Sequence, residues 1–400
     1  MISPKEASQI IFDNQPPLIV KEVLLEESMN CVTSEDIISP ESSPSYTNSA
    51  MDGFAVKWSD VEPASNGKKV ELAVNGESRA GFPFNGEYSK YSAIRISTGA
   101  MVPEGTDTVI PVELCAEMNG SVIIKSAKYK GQHIRFSGEE FHKGDLLLEK
   151  GKLICPGGMA LLASVGIHSV PVYLPPDAAV FVTGSEIVHH ENPCEIYQVR
   201  DSNSIMLRAA LKNSGVKNVS QSLIKDSLDE TISALQNVAE TRQLVIFSGG
   251  VSVGLHDYVK EAAEHTGFKP KFWKVKQKPG KPFYFAKKGN QLLFGLPGNP
   301  VSAFMSYIHY IHPLIIKMRG LDFSHTKIRG ELSEKVENKG DRTKFIRIKV
   351  DKQNGSIPLV SKLKLQGSHM LTSIALADGY LIVKKNTTLK NKSIVEVNIF

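Results

Sequence analysis

The spacing of apolar residues changes several times along the chain, and each change predicts a different kind of secondary structure. Apolar positions recur at helical intervals over residues 3–30, where Ser3-Pro4 has the form of an N-cap followed by proline at the first helical position. Residues 32–56 contain two prolines and several serines, which predict an extended chain. Between about 57 and 150, the runs KKVELAV, SAIRIS, DTVIPVE and SVIIKSA are separated by glycine and asparagine turns, which predict a β-rich segment.

The pattern changes again after a predicted helix at about 157–165 and a strand that follows it. Over residues 175–320 the apolar runs AAVFVTG, QLVIFSGG and QLLFGLPG each end in glycine. Helical stretches such as SNSIMLRAALKNSG and DYVKEAAEHTG lie between them. Buried strands that alternate with helices predict a parallel α/β sheet. Ligands of such sheets bind beyond the carboxyl ends of the strands, where all three glycine-rich runs end.

Alternation of period two returns after about residue 321 in TKFIRIKV, GYLIVKK and SIVEVNIF. This pattern predicts a C-terminal β domain with the character of a small barrel. The fold class expected for the whole chain is therefore α/β plus β, in several domains.

Composition and charge narrow the class of protein. A chain of 400 residues exceeds one hydrophobic core, and 41% apolar with 22% charged residues is ordinary for a globular protein. The net charge of +5 is spread along the chain, so it suits an anionic substrate better than nucleic acid. Four widely spaced cysteines without a CxxC pair argue against a zinc site or a disulfide framework. With neither a signal peptide nor a run of membrane-spanning length, we expect a cytosolic protein that binds no membrane.

The stretch SGGVSVG, Ser248–Gly254, follows a predicted strand and precedes a predicted helix. Its glycines would let backbone amides approach a phosphate, although a simple tight turn accounts for them about equally well. Asp257 follows near the start of the next helix, as a first-turn acid or as a magnesium ligand beside phosphate oxygens.

Two further loops have residues suited to anions. In GLPGNPVSAF, Asn299 and Pro300 have the form of a helix start, and Ser302 would offer its hydroxyl to an anion there. In WKVKQKPGKP, the lysines are either a solvated face or a rigid loop that holds Lys278 and Lys281 against an oxyanion. The two interpretations stay open on this pattern alone.

Other candidates say little individually. Glu186 in TGSE follows a strand, which is a ligand-facing position. Arg347 lies on a predicted strand of the last domain, and Ser368 lies in the turn QGSHML. No Ser-His-Asp or Cys-His arrangement can be argued from spacing.

Several stretches, taken together and in order, resemble the molybdopterin molybdenumtransferase family, which comprises the MoeA proteins and the related gephyrin E domain. The resemblance covers nearly the whole chain and rests on NSAMDGFAV, STGAMVPEGTDTVI, FSGGVSVGLHDYVK, KPGKPF, LPGNPVSAF and QGSHML. It implies insertion of molybdate into adenylylated molybdopterin to give molybdenum cofactor and AMP, with Mg²⁺ assisting. It also implies a homodimer, with the upstream adenylyltransferase and molybdoenzyme maturation proteins left open as further partners.

The resemblance implies four domains. Residues 1–45 and 143–171 would form a discontinuous N-terminal domain, and 46–142 an inserted β-rich domain. Residues 172–320 would form a three-layer α/β domain with the molybdopterin-binding fold, shared with the adenylyltransferase that acts one step earlier. Residues 321–400 would form the C-terminal β domain.

Site roles are implied residue by residue. Catalytic roles fall on Asp52, Glu186, Asp257, Lys278 and Lys281. Substrate-binding roles fall on Thr98, Arg135, Glu140, Ser252, Ser302, Arg347 and Ser368. Metal-binding roles fall on Asp226 and Asp257. The chain departs from the family pattern at Glu140, where aspartate is usual, and at Ser185, where an acid is usual.

Two alternative functions remain in view. A molybdopterin adenylyltransferase-like enzyme would share the α/β domain, and a gephyrin-like scaffold would share the whole architecture. The scaffold interpretation predicts loss of the acids and lysines, nearly all of which this sequence retains. The lack of a dinucleotide fingerprint argues against a redox enzyme.

Overall fold

The computed structural model describes residues 1–238, 240–251, 257–352 and 357–400. The chain begins with helix Pro4–Asp13, which Ser3 and Glu6 close in a reciprocal capping box. The predicted helix over 3–30 is therefore too long. Pro16-Pro17 follows the helix, and proline neither continues the helical hydrogen bonds nor allows the preceding residue a helical conformation. The chain continues as strand Val20–Leu24.

Segments from both ends of the first 173 residues pair with each other. Strand Val20–Leu24 lies beside Ser169–Tyr173, which also pairs with Val32–Thr33. Strand Ile37–Ile38 pairs with Leu146–Leu148 in the same way. Helix Pro156–Ser164 confirms the helix predicted here, while the four domain limits themselves stay predictions.

Between these segments lies a six-stranded sheet, here called the inserted sheet. Its strands, in chain order, are Gly53–Val56, Val70–Ser78, Ser92–Ile96, Thr108–Pro111, Cys115–Met118 and Ser121–Ile124. The β-rich pattern predicted for this region is confirmed. A separate short pair, Asn48–Ser49 with Ile134–Arg135, lies next to it in the chain.

A second six-stranded sheet, the central sheet, holds the three glycine-ended runs. Its spatial order is Val219–Ile224, Ala178–Thr183, Leu244–Ser248, Gln291–Leu296, Tyr284–Lys288 and Lys269–Trp273. The first four strands are parallel, as predicted, and each of the last two is antiparallel to its neighbour. The added antiparallel hairpin makes the sheet mixed.

Helices cover both faces of the central sheet and make it the middle of three layers. The described helices are Asn203–Asn213, Leu228–Gln236, Val259–His265 and a long one built from Pro300–Ser306, a π-helical turn Tyr307–Ile311, and His312–Met318. A separate hydrophobic core lies between each face of the sheet and its helices, and alternate residues of strand Leu244–Ser248 pack into the two cores. Ile246 packs with Leu207 and Phe294 on one face, and Phe247 packs with Ala262 on the other.

The C-terminal strands form a closed five-stranded barrel. They are Lys327–Leu332, Thr343–Asp351, Leu359–Lys362, Gly379–Val383 and Ile394–Ile399, and the pairing of Thr343–Asp351 with Gly379–Val383 closes the ring. Gln277–Lys278 pairs with Thr343–Lys344 and so attaches the barrel to the central domain.

The fold class predicted from the sequence is confirmed. Within the described ranges, no helix has both the length and the apolar character that a bilayer crossing requires.

The aromatic core of the central sheet generates a stability prediction. Phe294 is fully buried, and its ring lies 5.0 Å from that of Phe285 and 6.3 Å from that of Phe283. We expect Phe294→Ala to lower the free energy of unfolding by about 3–5 kcal/mol, because the cavity left behind cannot refill. Urea unfolding followed by circular dichroism measures the loss. The matched control is Phe82→Ala, since Phe82 is 68% exposed, and equal midpoints for the two variants would contradict this account of the core.

Candidate active site

A cavity of about 1790 Å³ lies between the carboxyl ends of the central strands and the barrel. This volume exceeds the 300–1000 Å³ or so of a pocket for a drug-sized ligand, so it has room for a large, extended molecule. Among the predicted site residues, those that line it are Glu186, Asp226, Asp257, Lys278, Lys281, Ser302, Arg347 and Ser368. Ser252 lies outside the described residues.

Three acids line the sheet side of the cavity. Asp226 follows strand Val219–Ile224 and accepts a hydrogen bond of 3.1 Å from the backbone amide of Ser185, in the turn that also carries Glu186. Asp257 approaches from the segment before helix Val259–His265. Among the residues that the structure describes, no group of three or more acidic, histidine or cysteine side chains is placed to hold a metal ion. Two carboxylates on one cavity nevertheless suit Mg²⁺, which takes the rest of its ligands from substrate phosphates and water.

The glycine turn after strand Leu244–Ser248 lies beside these acids. Gly249 has φ of +103°, and a Cβ atom there would lie 2.6 Å from the carbonyl oxygen of Thr183. Only glycine fits such a conformation and such a close approach. The turn therefore lines the cavity with bare backbone at the edge where a phosphate is expected.

A buried glutamine fixes the loop that carries the two lysines. The amide Nε2 of Gln277 donates to the carbonyl oxygen of Gly280 at 3.1 Å, and its Oε1 accepts from the Tyr310 hydroxyl. Gly280 has φ of +88°, and a Cβ there would lie 2.7 Å from that same amide nitrogen. Lys278 and Lys281 are themselves exposed, so the loop holds two ammonium groups at the cavity wall without neutralising them. Of the two interpretations left open by the sequence, this geometry favours the rigid loop.

The start of the long helix joins the barrel at the cavity. Asn299 occupies the N-cap position before Pro300, but its side chain makes no capping hydrogen bond with the described residues. Ser302 lies in the first turn, is 4% exposed and lines the cavity. The amide of Val301 donates to the carbonyl oxygen of Ser368 at 3.1 Å, which holds the helix start against the barrel turn.

Arg347 is the most unusual residue of the site. Its side chain is 1% exposed and donates to Phe345 O at 3.1 Å, Ser373 Oγ at 3.3 Å and Gly367 O at 3.4 Å. Burial lowers the pKa of the guanidinium to about 10, so it stays charged at neutral pH. The ion pairs between described residues do not include Arg347. A buried cation without a carboxylate is costly, and an anion in the cavity would offset that cost.

The wall behind Arg347 is aromatic. Tyr380 lies opposite Arg347 on the neighbouring strand, and its hydroxyl lies 3.0 Å from Nδ1 of His309. The His309 ring lies 4.6 Å from that of Phe345, which lines the cavity. Burial lowers the pKa of His309 to about 3, and burial with neighbouring charges lowers the pKa of His325 to about 4. Both imidazoles are therefore neutral in the folded protein at neutral pH.

The remaining predicted site residues lie apart from this cavity. Asp52 Oδ1 accepts from the backbone amide of Thr98 at 2.7 Å, which joins two predicted residues in one exposed turn. Glu140 Oε2 accepts from Ser43 Oγ at 2.8 Å, and Arg135 is exposed on the short strand that pairs with Asn48. None of these four predicted residues lines the cavity. The structure thus divides the predicted site into two groups.

Sequence reasoning missed several polar residues that shape the cavity. Asn203 is 6% exposed and donates through Nδ2 to Ser248 Oγ at 2.8 Å and Gly298 O at 2.7 Å, which ties two strand ends together. Asp201 accepts from the amide of Ser204 at 3.0 Å at the start of the same helix. The run RDSN, which has the form of a helix cap, was the available signal.

Comparison with known proteins decides the family. Residues 2–166 match the model of the MoeA N-terminal region (domain I and II), 179–317 match a probable molybdopterin binding domain, and 329–400 match the MoeA C-terminal region (domain IV). A molybdopterin molybdenumtransferase of Haemophilus influenzae is 39% identical over 322 residues, which cover 80% of this chain and 78% of that protein. The chain belongs to the MoeA family. The MoeA resemblance read from the sequence is confirmed.

Other MoeA relatives agree. A molybdopterin molybdenumtransferase of Bacillus subtilis is 32% identical over 370 residues, which cover 91% of this chain and 86% of that protein. The crystal structure of a molybdopterin biosynthesis MoeA protein from Pyrococcus horikoshii superposes with a TM-score of 0.83 at 28% identity, over 100% of this chain and 99% of that one. The prediction of a transferase of molybdenum cofactor biosynthesis is confirmed at this level.

The neutral histidine behind Arg347 generates a pH prediction. The ordinary pKa of histidine is 6.5, and that of folded His309 is about 3, so the unfolded chain binds more protons between these values. The contribution of neutral His309 to the free energy of unfolding is therefore complete above pH 6.5, and it is lost progressively as the pH falls from 6.5 towards 3. His309→Asn keeps a hydrogen-bond partner for the Tyr380 hydroxyl but cannot titrate. It should reduce the slope of the free energy of unfolding against pH by up to about 1.4 kcal/mol per pH unit.

Urea unfolding at a series of pH values between 7.5 and 5.0 measures this slope. His142→Asn is the control, since the side chain of His142 is 75% exposed. Equal pH slopes for the wild type and His309→Asn would show that His309 is not a neutral, buried group.

Proposed function

We propose that this MoeA-family protein is a molybdopterin molybdenumtransferase that inserts molybdate into adenylylated molybdopterin and releases AMP. The names of its relatives support the reaction class. The observation that carries the proposal for this chain is the buried guanidinium of Arg347, which forms no ion pair with any described residue and shares one cavity with Lys278 and Lys281. The adenylyltransferase-like and scaffold functions have no comparable observation in their favour.

Molybdate is a tetrahedral dianion, so it needs convergent donors on several sides. Lys278 and Lys281 supply ammonium groups from the sheet side, and Arg347 supplies a guanidinium from the barrel. The hydroxyls of Ser302 and Ser368 complete the set. The barrel and the central domain each supply part of this donor set. A bound anion would therefore connect the two halves of the cavity.

The chemistry at this anion is an exchange of oxygen for sulfur. The dithiolene sulfurs come from the pterin substrate, and two Mo–S bonds form as one molybdate oxygen leaves as water with the two thiol protons. Hydrolysis of the adenylyl phosphoanhydride adds a water and releases AMP. Lys278 and Lys281 stabilise the negative charge on the reacting oxygens throughout.

The acids act on the phosphate side. Asp226 and Asp257 would hold Mg²⁺, which supplies positive charge to the phosphate oxygens when bound. Glu186 lies in the turn beside Asp226, and we assign it the positioning of water or of the pterin. The amide of Gly249 itself donates to the carbonyl oxygen of Leu296 at 3.0 Å, so we assign donation to the phosphate oxygens to the amides of Gly250 and Val251, which also line the cavity.

The second group of residues reaches this cavity from a partner subunit. Asp52, Thr98, Arg135 and Glu140 do not line the cavity of their own subunit, although the family resemblance gives all four a role in the reaction. A homodimer that places the Asp52 turn of one subunit over the cavity of the other resolves this separation. The upstream adenylyltransferase and molybdoenzyme maturation proteins stay predicted partners.

Removal of the buried charge tests the anion site. Arg347→Gln should weaken molybdate binding by about 10- to 100-fold, because a charge-assisted contact is lost. Equilibrium dialysis with molybdate measures the affinity. Arg329→Gln is the matched control, since Arg329 is an exposed arginine of the same barrel. Lys281→Gln tests the same site at an exposed position that folding does not need. Unchanged molybdate affinity in both Arg347→Gln and Lys281→Gln would reject the proposed anion site.

Mixed dimers test the two-subunit site. Asp52→Ala and Lys281→Ala should each abolish AMP release from adenylylated molybdopterin in the presence of molybdate and Mg²⁺. After denaturation and refolding of an equal mixture, half of the dimers are mixed and each has one intact site, so about a quarter of the wild-type activity should return. No recovery of activity in the mixture would place both residues in the site of a single subunit.

Consumption of ATP with non-adenylylated molybdopterin would identify an adenylyltransferase instead.

A further inference from the structure

A histidine in the turn QGSHML lies on the wall of the cavity. His369 lines the cavity next to Ser368, whose hydroxyl belongs to the proposed anion site. It is the only imidazole among the described residues that line the cavity. Ordinary carboxyl groups titrate at about pH 4 and ordinary ammonium groups at about pH 10, whereas the ordinary charge change of an imidazole falls between about pH 5 and 8. His369 is therefore of the residue type suited to proton transfer at neutral pH.

The side chains of Arg347 and His369 lie against the same glycine. A terminal nitrogen of the Arg347 guanidinium donates to the carbonyl oxygen of Gly367 at 3.4 Å, and a Cβ atom built on Gly367 would lie 3.1 Å from Cε1 of His369. Backbone hydrogen bonds hold the turn in place, since the amide of Leu371 donates to the carbonyl oxygen of His369 at 3.2 Å and that of Val301 donates to Ser368 at 3.1 Å. The turn thus positions the imidazole beside the proposed molybdate site.

The imidazole of His369 is available to a ligand. Its side chain is exposed, and its ring nitrogens form no hydrogen bond or ion pair with the residues that the structure describes. His309 behind the wall differs, because its Nδ1 lies 3.0 Å from the Tyr380 hydroxyl. From the barrel and the lysine loop, the charged side chains that line the same cavity are Lys278, Lys281, Glu337, Arg342, Lys344, Arg347 and Lys362. All but Glu337 are cations, so the molybdate dianion that they attract would lie among them, in the cavity that His369 lines.

We propose that His369 is the general acid–base residue of molybdate insertion, a role that rests on the proposed transferase reaction. The neutral imidazole takes the proton of one dithiolene thiol as its sulfur bonds to molybdenum, and the imidazolium then gives this proton to a molybdate oxygen. The second thiol transfers its proton by the same route as the second Mo–S bond forms. The Mo–O bond to that oxygen breaks, the oxygen leaves as water, and the imidazole is neutral again. Molybdenum keeps its oxidation state, so no oxidant or reductant is consumed.

The exchange of oxygen for sulfur requires such a group. Oxide is a poor leaving group until it is protonated, and the two thiols supply the protons. Lys278 and Lys281 stabilise charge, but an ordinary ammonium group is already protonated at neutral pH and cannot accept a thiol proton. An imidazole can both accept and donate a proton at neutral pH, and the imidazolium forms beside a dianion that stabilises it.

Replacement of His369 by a side chain that cannot carry a proton tests this role. His369→Gln should slow the formation of active cofactor from adenylylated molybdopterin, molybdate and Mg²⁺ by about 100-fold or more. Its molybdate affinity in equilibrium dialysis should stay close to that of the wild type, since Arg347 and the lysines remain. Activation of a cofactor-free molybdoenzyme measures the rate, and added imidazole should restore part of it to His369→Ala.

The pH dependence of the rate separates proton transfer from a structural role. Only the neutral imidazole accepts a thiol proton, so the ratio of the wild-type rate to the His369→Gln rate should fall as the pH decreases from about 8 to about 5. Titration of the substrate and of molybdate cancels in this ratio, because it is the same for both proteins. The matched control is His142→Gln, which removes a histidine that is 75% exposed and does not line the cavity, and it should react at the wild-type rate at each pH.

A His369→Gln variant with the wild-type rate, or with a rate ratio that is constant across this pH range, would overturn the role of His369. A loss of rate that is fully explained by an equal loss of molybdate affinity would also overturn it. Failure of the wild type itself to form cofactor would instead reject the transferase reaction, and this outcome is distinct because it does not involve the variant.

Discussion

A guanidinium buried without a carboxylate is the constraint on which the rest of the cavity depends. Among the residues that the structure describes, the guanidinium of Arg347 donates to two carbonyl oxygens and a hydroxyl and to no carboxylate, so its charge is oriented but not neutralised. Such a group is tolerated in a folded chain when a ligand supplies the missing negative charge. The two exposed lysines of the facing loop extend the same positive field across the gap between the barrel and the central domain.

Neutral amides orient these cations. Gln277 holds the lysine loop through Gly280, and Gln366 holds Arg347 by accepting from its amide at 3.2 Å and donating to its carbonyl oxygen at 2.9 Å. A carboxylate in either position could not donate the hydrogen bond that the amide nitrogen gives to a carbonyl oxygen, and its charge would oppose the binding of a molybdate dianion. The same logic applies to His309, which stays neutral behind the cavity wall.

The sequence predicted the parts of this structure that depend on local pattern. The apolar runs that end in glycine became buried central strands, because a strand covered on both faces must be apolar throughout. Charged motif residues on the cavity were also found, but Gln277, Gln366 and Asn203 were not. Their importance comes from partners distant in the chain, and an uncharged amide leaves no local signal. Burial of Arg347 was equally invisible, since alternation in a strand does not say which face a barrel encloses.

The most direct measurement is the position of molybdenum in crystals of the protein grown with molybdate, located by anomalous diffraction at the molybdenum absorption edge. We expect one dominant peak per chain, in the cavity, within hydrogen-bonding reach of Arg347 and of the Lys278–Lys281 loop. A fully occupied molybdate elsewhere on the surface, with the cavity holding none, would contradict it.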